Sequence, residues 1–235
     1  MASGQREIEI KLPALDAATA RRLLRRAGFR VSRRRVFEAN TVFDTPDLSL
    51  RASQQLLRVR EAGGVVTLTY KGPPAVARHK SREELELEVS AAPPMAAILD
   101  RLGFRPVFRY EKYRTEYRRP GSAGVATVDE TPVGVFLELE GPPRWIDRTA
   151  RLLGFGERDY ITASYGRLYL DWCQRNGVAP GDMLLGALTA RNCSFATGRS
   201  LTLAVLSGTA SVSERPGNGT KSHGRRPRRR AWGLT

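Results

Sequence analysis

Glu7-Ile8-Glu9-Ile10-Lys11 decides the fold: two carboxylates and an ammonium alternate with two isoleucines. Side chains on a strand repeat every two residues, so Glu7, Glu9 and Lys11 share one face and Ile8, Ile10 and Leu12 the other. On an exposed edge strand the charged face would simply be solvated, and five residues alone do not argue against that. The argument comes from recurrence, because strands further along the chain repeat the arrangement.

Downstream, Asp16 is placed to cap a helix in which Ala20, Leu23, Leu24 and Ala27 recur at helical spacing, with Gly28 ending it. Arg21, Arg22, Arg25 and Arg26 lie largely off that face and read as its solvated side. A strand is predicted from about Val31 to Asp44, where Thr45-Pro46-Asp47 turns the chain. Gln55–Glu61 and Val65–Lys71 read as a hairpin across Gly63-Gly64. In it Arg58 and Arg60 oppose Leu57 and Val59, while Thr67, Thr69 and Lys71 oppose Val66, Leu68 and Tyr70.

A basic loop runs from Gly72 to Lys80, after which Glu84, Glu86 and Glu88 alternate with Leu85, Leu87 and Val89. A helix is expected over Pro94–Leu102, then a long strand, Phe108–Arg118, with Lys112, Arg114, Glu116 and Arg118 opposite Tyr113 and Tyr117. Thr127 and Asp129 mark the next strand, and the last sets Phe136, Glu138 and Glu140 against Val135, Leu137 and Leu139. Helices near Arg144–Leu153 and Ala163–Arg175 complete the fold.

The predicted class is therefore α+β, with about eight strands, mostly hairpin-connected. An ordinary sandwich would put the apolar faces in the core and wet the charged ones. Here the charges are sorted by strand: acidic at Glu84–Glu88 and Glu138–Glu140, basic at Arg58/Arg60 and Lys112/Arg114, mixed at Glu7–Lys11. A solvated surface has no need of such sorting. A closed barrel does, since inward and outward positions alternate along every strand. The expectation is an eight-stranded antiparallel β-barrel with a charged lumen and its apolar face outside, covered by helices.

Composition limits the chemistry. Lys and Arg number 39 against 24 Asp and Glu, which points to an anionic ligand. Residues 184–235 hold nine of the cations and one acid, so residues 1–183 keep a net +7 of the total +15. Two cysteines, Cys173 and Cys193, make no disulfide framework and fit a reducing cytoplasm. His79 and His223 have no metal-ligand spacing, which disfavours a zinc site or a serine triad. Neither a signal peptide nor an 18-residue apolar span is evident.

A lumen with cations on some strands and carboxylates on others suits a polyanion that arrives with a divalent metal. Arg and Lys hold phosphate oxygens. Carboxylates cannot, but a Glu-x-Glu pair offers hard oxygens to Mg²⁺ or Mn²⁺, which then bridges to phosphate.

The ordered motifs resemble those of the CYTH superfamily, the triphosphate tunnel metalloenzymes, which include class IV adenylate cyclases and thiamine triphosphatases. They are Glu7–Lys11, Thr41-Val-Phe-Asp-Thr-Pro46, Leu57-Arg-Val-Arg60, Leu68-Thr-Tyr-Lys-Gly-Pro73, Arg82–Glu88, Lys112-x-Arg114, Phe136-x-Glu138-x-Glu140 and Ser164-Tyr165. The Tyr70–Pro73 and Arg82–Glu84 stretches look more like the class IV adenylate cyclase branch than the mammalian thiamine triphosphatase one.

The resemblance implies that Lys11, Arg58, Arg60, Lys71, Lys112 and Arg114 hold a triphosphate. It further implies that Glu7, Glu9, Glu138 and Glu140, with Asp129, hold the metal, and that Glu7, Glu9 and Lys11 are catalytic. Glu86 has the parity to help. The expected reaction is conversion of ATP to cyclic AMP and pyrophosphate; the alternative is hydrolysis of inorganic tripolyphosphate or of a nucleoside or thiamine triphosphate.

The likeness covers about residues 5–183, so the tunnel domain is set at 1–183 and residues 184–235 are read as a basic, disordered tail. Nucleic-acid binding is expected only through that tail, at Arg225–Arg230. The rival reading is a non-catalytic module gripping polyphosphate or RNA. Against it, Tyr70, Tyr113 and Tyr117 fall on the apolar parity rather than out for stacking, and such a module has little use for two Glu-x-Glu pairs.

Overall fold

The computed structural model describes residues 5–75 and 78–186. The tail assigned to 184–235 thus lies, but for its first three residues, outside the described residues. In chain order the elements are β1 (Gln5–Ala14), α1 (Ala17–Arg26), β2 (Arg30–Asp44), α2 (Ser49–Ala52), β3 (Leu56–Ala62), β4 (Val65–Lys71) and β5 (Lys80–Val89). They continue with α3 (Ala92–Arg101), β6 (Arg105–Arg118), β7 (Val125–Thr131), β8 (Gly134–Glu140), α4 (Pro143–Leu152) and α5 (Tyr165–Asn176).

The eight strands close into a barrel in the order β1-β5-β4-β3-β2-β6-β7-β8, and neighbours are antiparallel. Residues directly opposed across a ladder point to the same side, so the register carries one parity around the ring. Lys11 lies opposite Glu138, Glu9 opposite both Lys80 and Glu140, and Lys71 opposite Glu84. Thr69 lies opposite both Arg58 and Glu86, Glu38 opposite Lys112, and Arg114 opposite Asp129. The charged faces predicted from alternation therefore share the inward parity and meet inside the barrel, with Glu116 and Arg118 continuing that parity past its rim.

The apolar faces pack outward, against helices. Ile10 and Leu12 of β1, Ala126 and Val128 of β7 and Leu137 and Leu139 of β8 are buried with Ala20 and Leu24 of α1 and Ile146 and Ala150 of α4. Asp16 caps α1 as predicted, its carboxylate accepting from the Thr19 amide at 2.6 Å. A second cluster sets α3, through Leu99, on Phe43, Leu57 and Val59. No helix among the described residues is long and apolar enough to cross a membrane.

The third cluster closes one end of the lumen. Tyr110 and Phe136, both on the inward parity, are buried with Tyr165, Tyr169 and Cys173 of α5 and with Met183. Past α5, Met183 takes the part of β6 that β7 leaves unpaired, its amide donating to the Arg109 carbonyl at 2.9 Å and its carbonyl accepting from Glu111 at 3.0 Å. Solvent reaches the lumen at the opposite end, where Glu86 and Glu140 are exposed.

Three local differences from expectation have physical causes. No element is predicted over α2, yet the Asp44 carboxylate accepts from the amides of Thr45, Leu50 and Arg51 at 2.8–2.9 Å and so gathers these residues into one helical turn. β5 starts at Lys80, four residues before Glu84, because Lys80–Glu83 pair with β1. α3 starts at Ala92 because Pro93 and Pro94 fall in its first turn, where the missing amide hydrogen costs nothing.

Gly124 fixes how α4 meets the barrel. A Cβ built there would overlap the Trp145 ring, which would also lie 3.2 Å from a Cβ at Gly141 and donates from Nε1 to Ser122. Gly124→Ala is expected to lower stability by about 1–3 kcal/mol, the usual cost of overpacking. Chemical denaturation of the purified variant checks this.

Candidate active site in the barrel lumen

Charges alternate around the lumen, so each predicted phosphate-binding cation has a carboxylate neighbour. From β1, Glu7 accepts from Lys71 at 2.5 and 2.7 Å. Glu9 accepts from Lys80 at 2.5 Å and from Lys11 at 3.2 Å. Lys11, only 2% exposed, also lies 3.0 Å from Glu138. Lys71 reaches Glu84 at 3.2 Å, and Arg60 donates to Glu86 at 3.0 Å.

On the opposite wall, Asp129 accepts from Lys112 at 2.8 Å and from both arms of Arg114 at 2.6 and 2.7 Å, while Arg114 also donates to Glu138. Arg58 donates to the Tyr110 hydroxyl at 3.2 Å and to Thr69 at 3.1 Å, with Glu86 at 3.7 Å. At the closed end the Tyr165 hydroxyl donates to Asp129 at 2.7 Å, and the ammoniums of Lys11 and Lys112 lie 5.0 and 4.9 Å from its ring centre. All six cations predicted from sequence thus face one lumen.

The electrostatics separates two groups of carboxylates. Burial alone would raise the pKa of Asp129, Glu138 and Glu38, but adjacent cations outweigh it and hold all three below the ordinary carboxylate range, Glu38 at about 2. For Glu38 those cations are Lys112, Arg114, Arg60 and Arg58. Glu140 behaves in the opposite way. Burial, compounded by Glu7, Glu138 and Glu9, pushes its pKa up to about 7. Burial also pulls Lys11 towards neutrality, yet Glu138 and Glu9 more than offset it, so Lys11 stays an ammonium rather than a base. Lys80, by contrast, is brought down to about 8 by burial, Lys11 and Arg82, with Glu9 resisting.

Among the described residues no three carboxylates converge at metal-ligand distance. Glu7, Glu9 and Glu138 are each drawn onto a cation. The donor set nonetheless fits a hard divalent ion: four glutamates on the paired strands β1 and β8 crowd one another enough to raise Glu140. Asp129, predicted as a fifth ligand, shares the Arg114 guanidinium with Glu138. It is wholly buried, and Lys112, Arg114 and Tyr165 occupy its oxygens.

Several lumen residues were not anticipated. Glu38 and Asn40 are buried on the inward face of β2; neither polar atom of the Asn40 amide has a protein partner, nor does Oε2 of Glu38 or Nε of Arg58 make a hydrogen bond. Lys80 and Arg82 extend the cation row on β5, with Arg82 4.0 Å from Glu7. The alternation Glu38-Ala39-Asn40 and the odd-even match of Tyr110 to Lys112 were available signals.

Residues 5–152 match the CYTH domain family. The Methanocaldococcus jannaschii protein named "Putative adenylate cyclase MJ0240" is 32% identical over 135 residues, 57% of this chain and 75% of that protein. Among solved structures, a Pyrococcus horikoshii protein superposes with a TM-score of 0.60 at 27% identity, covering 71% of this chain and 99% of its own. An adenylyl cyclase-named protein from Hippeastrum, described as having a dominant triphosphatase activity, gives 0.53 at 21% identity over 74% and 97% of the two chains, and shares the fold. With its barrel, its lumen and its matched residues in agreement, the chain belongs to the CYTH domain family.

Proposed function

We propose that the chain is a divalent-metal-dependent enzyme acting on a triphosphate in the lumen, converting ATP to cyclic AMP and pyrophosphate in the manner of class IV adenylate cyclases. The observation that carries this is the pairing of six inward cations with carboxylates inside a barrel closed at one end. Buried ion pairs are poor stabilisers, since desolvation cancels most of their attraction. A wall built of them is better explained by a ligand that replaces one set of partners.

Glu7, Glu9, Glu138 and Glu140 would hold Mg²⁺ or Mn²⁺, which supplies positive charge for phosphate oxygens and an activated oxygen nucleophile. Lys11, Lys71 and Arg114, now paired with those carboxylates, would then be open to the phosphates along with Arg58, Arg60 and Lys112. Asp129 positions Lys112 and Arg114 and is kept ionised by them. In cyclisation the ribose 3′-hydroxyl gives up its proton to solvent, its oxygen attacks the α-phosphorus, and pyrophosphate departs with the electrons of the broken P–O bond, its charge met by these preset cations.

Hydrolysis is the second reading, and one observation favours it. The groups without a hydrogen bond at Glu38, whose Oε2 lies 3.5 Å from the Lys112 ammonium, Asn40 and Arg58 mix donors with acceptors; phosphate oxygens satisfy donors alone, whereas water satisfies both kinds. Substrates would then include inorganic tripolyphosphate and nucleoside or thiamine triphosphates. The cysteine usage keeps the cytoplasm as the proposed compartment.

Product analysis of the full chain with ATP and, separately, with tripolyphosphate, each with Mg²⁺ or Mn²⁺, distinguishes the readings. Cyclic AMP with pyrophosphate establishes the cyclase. Orthophosphate without cyclic product establishes the triphosphatase, and binding without turnover of either points to another triphosphate substrate or to the non-catalytic module.

A further inference from the structure

The basic excess of residues 1–183 is not in the lumen. The four arginines of α1, the four of β2 between Arg30 and Arg35, and Arg118 with Arg119 at the end of β6 are exposed, Arg21 only in part, and gather on the outer wall and rim of the barrel, where Arg30, Arg33 and Arg118 continue the inward parity past the ring. Glu130 links two of these groups, accepting from Arg35 at 2.9 Å and lying 3.7 Å from Arg21. Glu116 links the others, accepting from Ser32 at 2.9 Å and from Arg118 at 3.0 Å. Arg30 is opposite Arg118 in the ladder, and Nε of Arg119 comes within 3.7 Å of where a Cβ of Gly28 would stand, beside the end of α1.

Ten arginines against two glutamates give this surface a net +8, while residues 1–183 as a whole carry +7. The rest of the domain, lumen included, is therefore close to neutral. Such segregation is a long-range field with one source. The arginines of Arg30–Phe37 also lie on a stretch of β2 that pairs with β6 alone among the described strands. Protection of an open edge accounts for a charge or two there, but not for four more on α1 and two on β6.

The chemistry of the face selects its partner. It holds no lysine, and the guanidinium fork matches phosphate oxygens in pairs. Arg30, Arg33, Arg34 and Arg35 span two irregularities in the ladder, so they fan to both sides of the strand end and offer a broad patch rather than a point. A membrane surface would also call for apolar side chains to bury, and of the large apolar residues exposed here β2 offers only Val31 and Phe37.

We propose that this outer face binds nucleic acid through its backbone phosphates, independently of the lumen and without reading bases. The sequence expectation placed any such contact in the tail alone. Arg26→Glu, Arg34→Glu and Arg119→Glu, combined in the full chain, test the proposal, because all three are exposed and none faces the lumen.

Fluorescence anisotropy with a labelled single-stranded RNA of about 20 nucleotides and with the matching duplex should show binding by the parent chain. That affinity should fall at least about 10²-fold between roughly 50 and 200 mM salt. The triple variant should bind about 10²-fold more weakly, with a salt slope shallower by about 3, and should keep its melting temperature and its turnover of triphosphate. Parental affinity in the triple variant would assign the contact to the tail and overturn the proposal. So would absence of binding by the parent, or parental binding only to phosphatidylserine vesicles.

Discussion

Glu138→Gln combined with Glu140→Gln is expected to reduce metal-dependent turnover by at least about 10³-fold while leaving the barrel folded. The fold survives because each cation that loses Glu138 keeps another partner: Lys11 retains Glu9, and Arg114 retains Asp129. Removing the negative charge of Glu140 even relieves its crowding by Glu7, Glu9 and Glu138. The loss should therefore appear in turnover and in Mn²⁺ binding followed by electron paramagnetic resonance, with the thermal melt near that of the parent. Full residual activity in the double variant would remove these glutamates from the metal site.

Arg58→Ala is expected to weaken tripolyphosphate binding by about 10- to 100-fold, in line with the loss of charge-assisted hydrogen bonds. Arg58 is 8% exposed, is anchored by Tyr110 and Thr69, and keeps its Nε free of any protein hydrogen bond. Burial opposes its charge, but Tyr110, Glu38 and Glu84 keep its pKa above that of an ordinary arginine, so the parent always presents a cation there. Orthophosphate, which spans less of the lumen, should lose much less affinity. Equal losses for the two ligands by calorimetry would mean a nonspecific basic patch, and a coincident collapse of the melt would mean that the anchoring of β3 and β6 had been lost instead.

The barrel was legible because alternation is a strong local signal and charge on the inward parity made it unusual. Once Glu7–Lys11, Arg58/Arg60, Glu84–Glu88, Lys112/Arg114 and Glu138/Glu140 share a parity, antiparallel pairing brings them together whatever the strand order. What strand order contributed was the choice of partner, as in Lys11 with Glu138 and Lys71 with Glu7, and no local pattern encodes that.

The residues missed are those whose types break the pattern. Glu38 and Asn40 share the inward face of β2 with Val36 and Val42, so the strand does not look charged. Tyr110 shares the parity of Lys112 but carries no charge to mark it, although its hydroxyl accepts from Arg58. Lys80 sits beyond Pro73-Pro74 in what reads as a loop until β1 pairs with it. Asp129 has the right parity for a metal ligand, but parity does not reveal that it also accepts from Lys112, Arg114 and Tyr165.

The most direct test of the account is a crystal structure of the full chain grown with tripolyphosphate and Mn²⁺, read by anomalous scattering at the manganese edge. The account predicts a manganese peak among Glu7, Glu9, Glu138 and Glu140, with the phosphates along Lys11, Arg58, Arg60, Lys71, Lys112 and Arg114. Tripolyphosphate found on the outer arginine face, with Lys71 still on Glu7 and Arg114 still on Glu138 inside the barrel, would contradict it.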